Sequence, residues 1–311
     1  MIALDAMGGD FSPHSNLQGA LSAARKGIPV LLFGDAQILE KELTALDQDW
    51  RSLGLLIEHT SEEIAMDEEP AAAVRKKTDS SLVRAVRSVK EGRSSAVVSA
   101  GSSGALMIAS LFILGRREGI ERPAIAGILP TAKGVVVGLD LGANTECKPS
   151  YLYQFAHLGA EFVREHFHLE HPRVGLLSNG HEDCKGSALT KETFELLKQS
   201  TLNFVGNVEP YNIFAGDVDV FVTDGFSGNV LIKTLESVRD LVTLKIVNSD
   251  ELPSGADNKM LGDIKSSIEK SFKNDDRGGA VLLGVQGRAI VCHGAAHGDD
   301  IERALMLAKG L

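Results

Sequence analysis

The sequence feature that most constrains the fold is a repeated pattern, in which short apolar runs end at a glycine turn that also carries Asp, Asn, Ser or His. Five runs show this pattern, ending at Leu4, Val98, Leu139, Leu177 and Val222, and Cys292 before His293-Gly294 is a sixth candidate. Helical segments separate the runs along the chain. Alternating strands and helices predict an α/β fold, with a mainly parallel sheet and helices on both of its faces.

Because open α/β sheets bind ligands at the carboxyl ends of their strands, the glycine turns together predict one polar cleft to which distant parts of the chain contribute. The first turn follows Asp5 and contains Gly8, Gly9 and Asp10. We expect it to be one wall of that cleft, although its two carboxylates make it a poor phosphate cradle by itself. The alternative is a tight turn that binds nothing. Ser12 is expected to cap the helix that follows, with Pro13 in its first turn.

Composition excludes several classes of protein. No apolar run reaches the ~18 residues needed to cross a bilayer, and the chain does not open with the pattern of a secretory signal. Three widely spaced cysteines, an odd number, indicate a reducing compartment, for which the cytoplasm is the default. A formal net charge of −10 argues against nucleic-acid binding, because phosphate backbones would be repelled on average.

One stretch has the opposite charge. Between Arg75 and Arg93, seven basic residues stand against Asp79 and Glu91. Helical periodicity from Ser81 to Glu91 places the apolar residues on one face and directs Arg84 and Arg87 outward. Two interpretations stay open: a solvated helix face, or a docking surface for an acidic protein.

The chain contains no Pro/Gly/Ser-rich linker, so we expect one unit over residues 1–311 or two interleaved subdomains rather than two separate domains. Residues 244–277 form the least patterned and most polar segment, for which a protruding helical excursion is predicted. Neither GxGxxG nor GxxxxGK[ST] occurs, and the histidines show no metal-ligand spacing. We therefore expect no cofactor and no metal.

The glycine turns also carry a resemblance to a known family. The segments concerned are DAMGGD (5–10), MDEEPAAAVRKKTDSSLVRAVRSVKEG (66–92), VSAGSSGAL (98–106), LDLGAN (139–144) and DGFSGNVLIKTLE (224–236). The chain closely resembles the PlsX family of bacterial phosphate acyltransferases over nearly its whole length. The resemblance implies the three-layer α/β/α fold of isocitrate and isopropylmalate dehydrogenases, which phosphate acetyltransferase shares.

The resemblance also implies an activity: reversible transfer of a fatty acyl group from acyl carrier protein to inorganic phosphate, giving acyl phosphate for phosphatidic acid synthesis. It implies a cytoplasmic homodimer that works with a membrane-bound glycerol-3-phosphate acyltransferase. Two features depart from the family pattern: the loop SNGHEDCKG, and Ser103 in place of a frequent Thr. Residues 244–277 are polar where the family often has a membrane-touching tip, which argues against strong membrane attachment and leaves peripheral contact open.

Acyl transfer from a thioester to phosphate depends mainly on positioning, which can contribute roughly 7–11 kcal/mol. We expect the backbone of Gly101, Ser102, Ser103 and Gly104 to bind phosphate, with Lys148 or Lys185 as counter-charge. Asn144 and Asn229 are candidates to orient phosphate or the carbonyl oxygen. Asp5, Asp10 and Asp224 would shape and polarise a cleft lined by Gly8, Gly9, Gly225 and Gly228.

Two further side chains have competing interpretations. His293 is a candidate base or hydrogen-bond donor, or a structural strand-end histidine. Cys147 is a candidate acyl-enzyme nucleophile or, as expected without a neighbouring histidine, a buried thiol. For the whole chain the alternatives are a coenzyme A-dependent short-chain phosphate acyltransferase, a nucleotide-dependent dehydrogenase of the same fold, and a non-enzymatic scaffold of lipid synthesis.

Overall fold

A computed structural model of the protein describes residues 1–247 and 278–311. The chain forms two compact units, one made of Met1–Gly127 with Arg277–Leu311 (unit 1) and the other of Ile128–Asp276 (unit 2). Of the excursion predicted at 244–277, residues 244–247 are helical, and the rest lies outside the described residues.

The strands are short and mostly buried, and most end where the apolar runs of the sequence end. They are β1 Ile2–Asp5, β2 Val30–Gly34, β3 Leu55–His59, β4 Ala96–Ser99, β5 Ala124–Thr131, β6 Gly134–Leu139, β7 Arg173–Leu177, β8 Asn203–Val208, β9 Val220–Val222, β10 Ala280–Leu283 and β11 Ala289–Val291.

Helices connect the strands. They are α1 His14–Arg25, α2 Ala36–Leu46, α3 Pro70–Lys76, α4 Ser81–Lys90, α5 Ser103–Ala109, α6 Pro149–Phe167, α7 Ala188–Lys198, α8 Pro210–Ala215, α9 Gly225–Val247 and α10 Gly298–Gly310. A single 3-10 turn covers Trp50–Leu53, and a π turn at Ser110–Leu114 continues α5. None of the helices within 1–247 and 278–311 is long and apolar enough to cross a membrane.

In unit 1 the strands are ordered β3-β2-β1-β4-β11-β10-β5. The pairs from β3 to β11 are parallel, whereas β10 is antiparallel to both β11 and β5. Leu4 belongs to a core cluster shared with Leu17 of α1 and Leu305 of α10. Because alternate side chains of a strand point to opposite faces, Ala3 faces the other side, where α4 packs on β1 and β2. Helices therefore cover both faces of these strands.

In unit 2 the strands are ordered β6-β9-β7-β8, and the pairs are parallel. Helix α6 packs on β6 and β9, and α7 packs on α6, β7 and β8. The buried side chains include Leu139, Phe155, Leu176, Leu197 and Val220. The prediction of a mainly parallel α/β fold is confirmed.

One local prediction was wrong, and one strand was missed. Ser12 does not cap α1, because its Oγ donates to the Gly9 carbonyl oxygen at 2.9 Å, and the N-cap residue is Pro13 without a side-chain hydrogen bond. Strand β10 has no counterpart in the sequence prediction, because its four residues follow the least patterned part of the chain.

Candidate active site

The first group of candidate residues lies at one edge of unit 1. Strands β1, β4 and β11 are neighbours and parallel, so the turns that follow them emerge side by side. The turn after β1 meets the turn after β11 through a hydrogen bond from the Asp10 amide to the Gly294 carbonyl oxygen (2.8 Å). The structure thus brings together a set that the sequence placed far apart: Asp5, Gly8, Gly9, Asp10, Gly101–Gly104 and His293.

Asp5 lies at the centre of this group and is only 2% exposed. Its Oδ1 accepts a hydrogen bond from Ser81 Oγ (2.5 Å), and its Oδ2 accepts one from Ser99 Oγ (2.7 Å). Burial raises the pKa of Asp5, and this effect outweighs the lowering by the two hydroxyls and the Met7 amide. The carboxylate is therefore held by protein donors, and sequence reasoning missed the two serines that hold it.

Gly8 allows the turns after β1 and β4 to touch. A methyl group placed at Gly8 would lie 2.5 Å from Asp5 Oδ2 and 2.8 Å from the Gly101 amide nitrogen. Gly9 has a φ of +104°, a conformation that favours glycine. The buried Asn16 of α1 completes the first turn, because its Nδ2 donates to the carbonyl oxygens of Ala6 (3.0 Å) and Gly8 (2.9 Å). No feature of the sequence pointed to Asn16.

The turn at 101–104 leaves three amides open. The Gly101 amide donates to Ser99 Oγ (3.0 Å), and the Ala105 amide donates to Ser102 Oγ (3.3 Å). Within the described part of the chain, the amides of Ser102, Ser103 and Gly104 donate to no protein acceptor. Three consecutive open amides in a glycine turn are suited to binding an anion.

His293 is exposed and follows β11. Its Nδ1 accepts a hydrogen bond from the Ala295 amide (3.1 Å). A neutral imidazole has one donor nitrogen and one acceptor nitrogen. Because Nδ1 accepts, the proton of the neutral ring is on Nε2. His293 can present an N–H donor in this tautomer.

The second group lies in unit 2, at the carboxyl ends of the parallel strands β6 and β9. Its centre is Asp140, a fully buried residue that sequence reasoning did not place in the site. Its carboxylate accepts hydrogen bonds from the amides of Gly142 (3.3 Å), Ala143 (2.9 Å) and Asn144 (2.7 Å), and from Asn144 Nδ2 (2.8 Å). An Asp two residues before a glycine is typical of such a turn, and this signal was present in the sequence.

The remaining candidates of unit 2 surround this turn. Asp224 caps α9, because its Oδ1 accepts from the Ser227 amide (2.9 Å) and its Oδ2 from Ser227 Oγ (2.8 Å). The Gly225 amide donates to the Asn144 carbonyl oxygen (2.8 Å). Gly228 lies directly against the Asp140 carbonyl oxygen, and the exposed Asn229 lies beside Gly142. Asn144, Asp224, Gly225, Gly228 and Asn229 therefore form one group.

Two exposed lysines of unit 2 are available as counter-charges. Lys148 is the N-cap residue of α6, and Lys185 lies in the loop between β7 and α7 with its stem against Gly180. Neither lysine forms an ion pair with any residue that the structure describes. Cys184, next to Lys185, is exposed, whereas Cys147 is half-buried and Cys292 is buried. Cys147 Sγ lies 3.4 Å from the Asn144 carbonyl oxygen, to which it donates.

The two arginines proposed for docking have different surroundings. Arg84 donates to Asp79 Oδ1 and Glu58 Oε1. Hydrogen bonds from Ser61 and Arg84 lower the pKa of Asp79 to about 2. The charge of Arg84 is thus compensated within the fold, whereas Arg87 is half-buried and forms no ion pair in the described ranges. Docking stays a prediction, with Arg87 the better placed of the two.

Comparison with known proteins places these groups in context. The family described as fatty acid synthesis protein matches residues 1–311. A phosphate acyltransferase of Desulforamulus reducens is 44% identical over 310 residues, covering 99% of this chain and 92% of the relative. One from Heliobacterium modesticaldum is 45% identical over 314 residues, with coverage of 99% and 92%. A solved phosphotransacetylase from Streptococcus pyogenes has a TM-score of 0.64 at 17% identity, covering 99% of this chain and 93% of that one, and shows the same fold.

Proposed function

The chain belongs to the fatty acid synthesis protein family and is an acyltransferase, and from that premise we propose that it transfers a fatty acyl group from acyl carrier protein to inorganic phosphate. A phosphate oxygen attacks the thioester carbonyl carbon and forms a C–O bond, and the C–S bond breaks. The carrier sulfur leaves with the electron pair of that bond and takes up the proton that hydrogen phosphate loses. The products are acyl phosphate, for phosphatidic acid synthesis, and the free thiol of the carrier. The reaction is reversible.

The observation that carries the proposal is the set of open amides at Ser102, Ser103 and Gly104. Phosphate is a small dianion with several acceptor oxygens, and consecutive backbone N–H groups bind such ions without a metal or cofactor. The Gly101 amide is already used within the fold, so the phosphate-binding role falls to the other three residues of the turn.

We assign Lys148 and Lys185 the counter-charge for phosphate, because both are exposed and unpaired among the described residues. Asn229 keeps its role as a candidate to orient the carbonyl oxygen. Asn144 donates to Asp140 and Asp224 accepts from the first turn of α9, so we assign both side chains the role of positioning their turns. His293 stays a candidate base or hydrogen-bond donor.

The same proposal includes a second copy of the chain. Helix α9 exposes apolar side chains, among them Phe226 (63%), Val230 (49%) and Leu241 (58%), and large exposed apolar surfaces are typical of interaction sites. A homodimer in the cytoplasm that passes acyl phosphate to a membrane-bound glycerol-3-phosphate acyltransferase is consistent with these features. Sedimentation of the purified protein tests the dimer directly, and a monomer over the micromolar range would contradict it.

The activity is tested by mixing the protein with long-chain acyl carrier protein and phosphate and following release of the free thiol. We expect release that depends on phosphate and yields acyl phosphate. Acetyl coenzyme A in place of the carrier substrate tests the short-chain alternative. Absence of phosphate-dependent thiol release from the carrier substrate would overturn the proposal.

The lysine assignment has its own test. Lys185→Met and Lys148→Met should each raise the KM for phosphate about tenfold, because a charge-assisted hydrogen bond is worth about 1.5 kcal/mol or more. Lys198→Met is the matched control, since Lys198 is also an exposed lysine of unit 2 but pairs with Asp183 at 3.3 Å. An unchanged KM in both variants would remove the lysines from the site.

A further inference from the structure

A chain of hydrogen bonds connects the buried carboxylate of unit 1 to the open turn. Ser99 Oγ donates to Asp5 Oδ2 at 2.7 Å, and the same oxygen accepts from the Gly101 amide at 3.0 Å. Ser99 is 1% exposed and Asp5 is 2% exposed, so water does not replace either partner readily. The Gly101 amide is thereby fixed at the first residue of the turn whose next three amides are open.

A serine hydroxyl has one hydrogen and can rotate, so its direction must be set by its surroundings. The Gly101 amide donates to the Ser99 oxygen, so the Ser99 hydrogen is directed to its other neighbour, Asp5 Oδ2. A lone pair of the Ser99 oxygen then faces the Gly101 amide. Without an acceptor at Asp5 Oδ2, the Ser99 hydroxyl is free to turn, and its hold on Gly101 weakens.

Ser81 offers an internal comparison. Its hydroxyl donates to the other oxygen of the same carboxylate, Asp5 Oδ1, at 2.5 Å, and Ser81 is also 2% exposed. It lies at the first residue of α4, and within the described ranges its side chain makes no hydrogen bond to the turn at 101–104. The two serines are therefore alike in residue type, burial and partner, and they differ in contact with Gly101.

We propose that Ser99 is a positioning residue for the turn at 101–104, and that Asp5 acts on this turn through Ser99 and not on the substrate. The proposal rests on the proposed function, because it takes the open amides of the turn as the phosphate site. Gly8 supports the arrangement by letting Gly101 approach Asp5 closely. Asp5 is accordingly a part of the site that never needs to touch phosphate, which removes the repulsion that a carboxylate next to a dianion would cause.

The matched pair Ser99→Ala and Ser81→Ala tests the proposal in the full-length protein with inorganic phosphate as the varied substrate. Both substitutions remove one hydroxyl from Asp5 and should lower the thermal midpoint, and Ser99→Ala should lower it more because it also leaves the Gly101 amide without its acceptor. Ser99→Ala should also raise the KM for phosphate about tenfold, with less than a threefold change in kcat, whereas Ser81→Ala should change the KM less than twofold.

A second measurement does not depend on activity. Hydrogen exchange at the Gly101 amide should be faster in Ser99→Ala than in Ser81→Ala or the unchanged protein, because only Ser99→Ala removes the acceptor of that amide. If Ser99→Ala fails to fold, Ser99→Cys replaces it: a thiol keeps the shape but is a weaker donor and acceptor, so the same two effects should appear at smaller size.

Two results would overturn the proposal. One is an equal rise in the KM for phosphate in both serine variants. It would mean that phosphate binding depends on the hydrogen bonds to Asp5 and not on the contact between Ser99 and Gly101. The other is unchanged exchange at Gly101 in Ser99→Ala or Ser99→Cys. Failure of the proposed function has a different signature, because then the unchanged protein itself would show no phosphate-dependent thiol release while the exchange measurement would still report on Ser99.

Discussion

The two units differ in which groups donate hydrogen bonds to a buried aspartate. Each has a buried aspartate at the carboxyl end of a parallel strand, Asp5 in unit 1 and Asp140 in unit 2. Asp140 accepts hydrogen bonds from three amides of its own turn. Asp5 accepts from two hydroxyls that come from other elements, α4 and β4. Glycine turns with similar sequences therefore differ in whether their backbone amides already donate to a carboxylate.

The difference determines which turn keeps amides without a protein acceptor. In a turn that contains its own carboxylate, the backbone amides donate to that carboxylate and fix the shape of the turn. These amides are then not available to a ligand. The turn at 101–104 contains no carboxylate, and its amides at 102–104 stay open. A carboxylate supplied from another strand can thus fix a turn without occupying it. This distinction can be tested by changing each turn separately.

The largest effect on stability is expected at Asp140. Asp140→Ala removes the acceptor of three backbone amides, and a buried donor without a partner costs about 1–3 kcal/mol. We expect the free energy of unfolding to fall by about 3 kcal/mol or more, because water can reach only part of this turn. Denaturant unfolding measures the change, with Asp140→Asn as the milder control.

The KM for phosphate of folded Asp140→Ala should stay within about twofold of the unchanged value, since the phosphate is expected at 102–104. A tenfold rise would contradict the distinction between the two turns, because it would show that the turn of Asp140 also contributes to phosphate binding.

Gly8→Ala is expected to have the next largest effect. The added methyl group would press on Asp5 Oδ2 and on the backbone of Gly101, and overpacking of this kind costs about 1–3 kcal/mol. Because the displaced atoms belong to the open turn, the KM for phosphate should rise at least tenfold as well. Thermal unfolding and steady-state kinetics measure the two effects.

Gly27→Ala serves as the control for Gly8→Ala. Gly27 has a φ of +78°, but a methyl group there would meet no atom within 4 Å. It should therefore cost only the strain of about 1–2 kcal/mol that an L-residue has in this conformation, with no change in kinetics. If Gly8→Ala behaved like Gly27→Ala, close contact between the two turns would have no role in activity.

The last prediction concerns pH. The pKa of Asp5 is raised in the folded protein, so its stabilising contribution is complete below the unfolded value of 3.8 and is lost as the pH rises through the folded value. Relative to Asp5→Asn, which does not titrate, the unchanged protein should therefore gain stability as the pH falls toward 4.

The expected result is a difference in the free energy of unfolding between the two proteins that changes in favour of the unchanged protein as the pH falls. Chemical denaturation of both proteins across this pH range measures it. A difference that stayed constant, or that grew with rising pH, would show that Asp5 is not destabilised by its burial.

The sequence predicted the parts of this fold that depend on local pattern. The apolar runs located most strands, and their alternation with helices predicted the parallel pairing that brings Asp5 and Ser99 to one edge. The sequence could not predict which side chains donate hydrogen bonds to Asp5, since Ser81 and Ser99 are 76 and 94 residues from it. Arg84 illustrates the same limit, because its partner Glu58 lies on a strand 26 residues away.

The site was predicted better as a set of turns than as a set of roles. Asn144 and Asp224 are at the expected places, but their side chains bond to their own turns. Side-chain hydrogen bonds of this kind depend on ångström-scale geometry, which spacing along the chain does not specify. The role of Asp140 could have been predicted from the glycine two residues after it. The role of Asn16 could not, because its acceptors are carbonyl groups of a different element.

The positions of the three cysteines make the loop of Lys185 accessible to spectroscopy. Cys184 is the exposed thiol, whereas Cys147 is half-buried and Cys292 is buried. A thiol-reactive fluorophore or spin label added to the native protein should therefore attach first at Cys184, one residue from Lys185. Such a probe would report local motion and polarity at this loop during substrate titrations without any engineered residue.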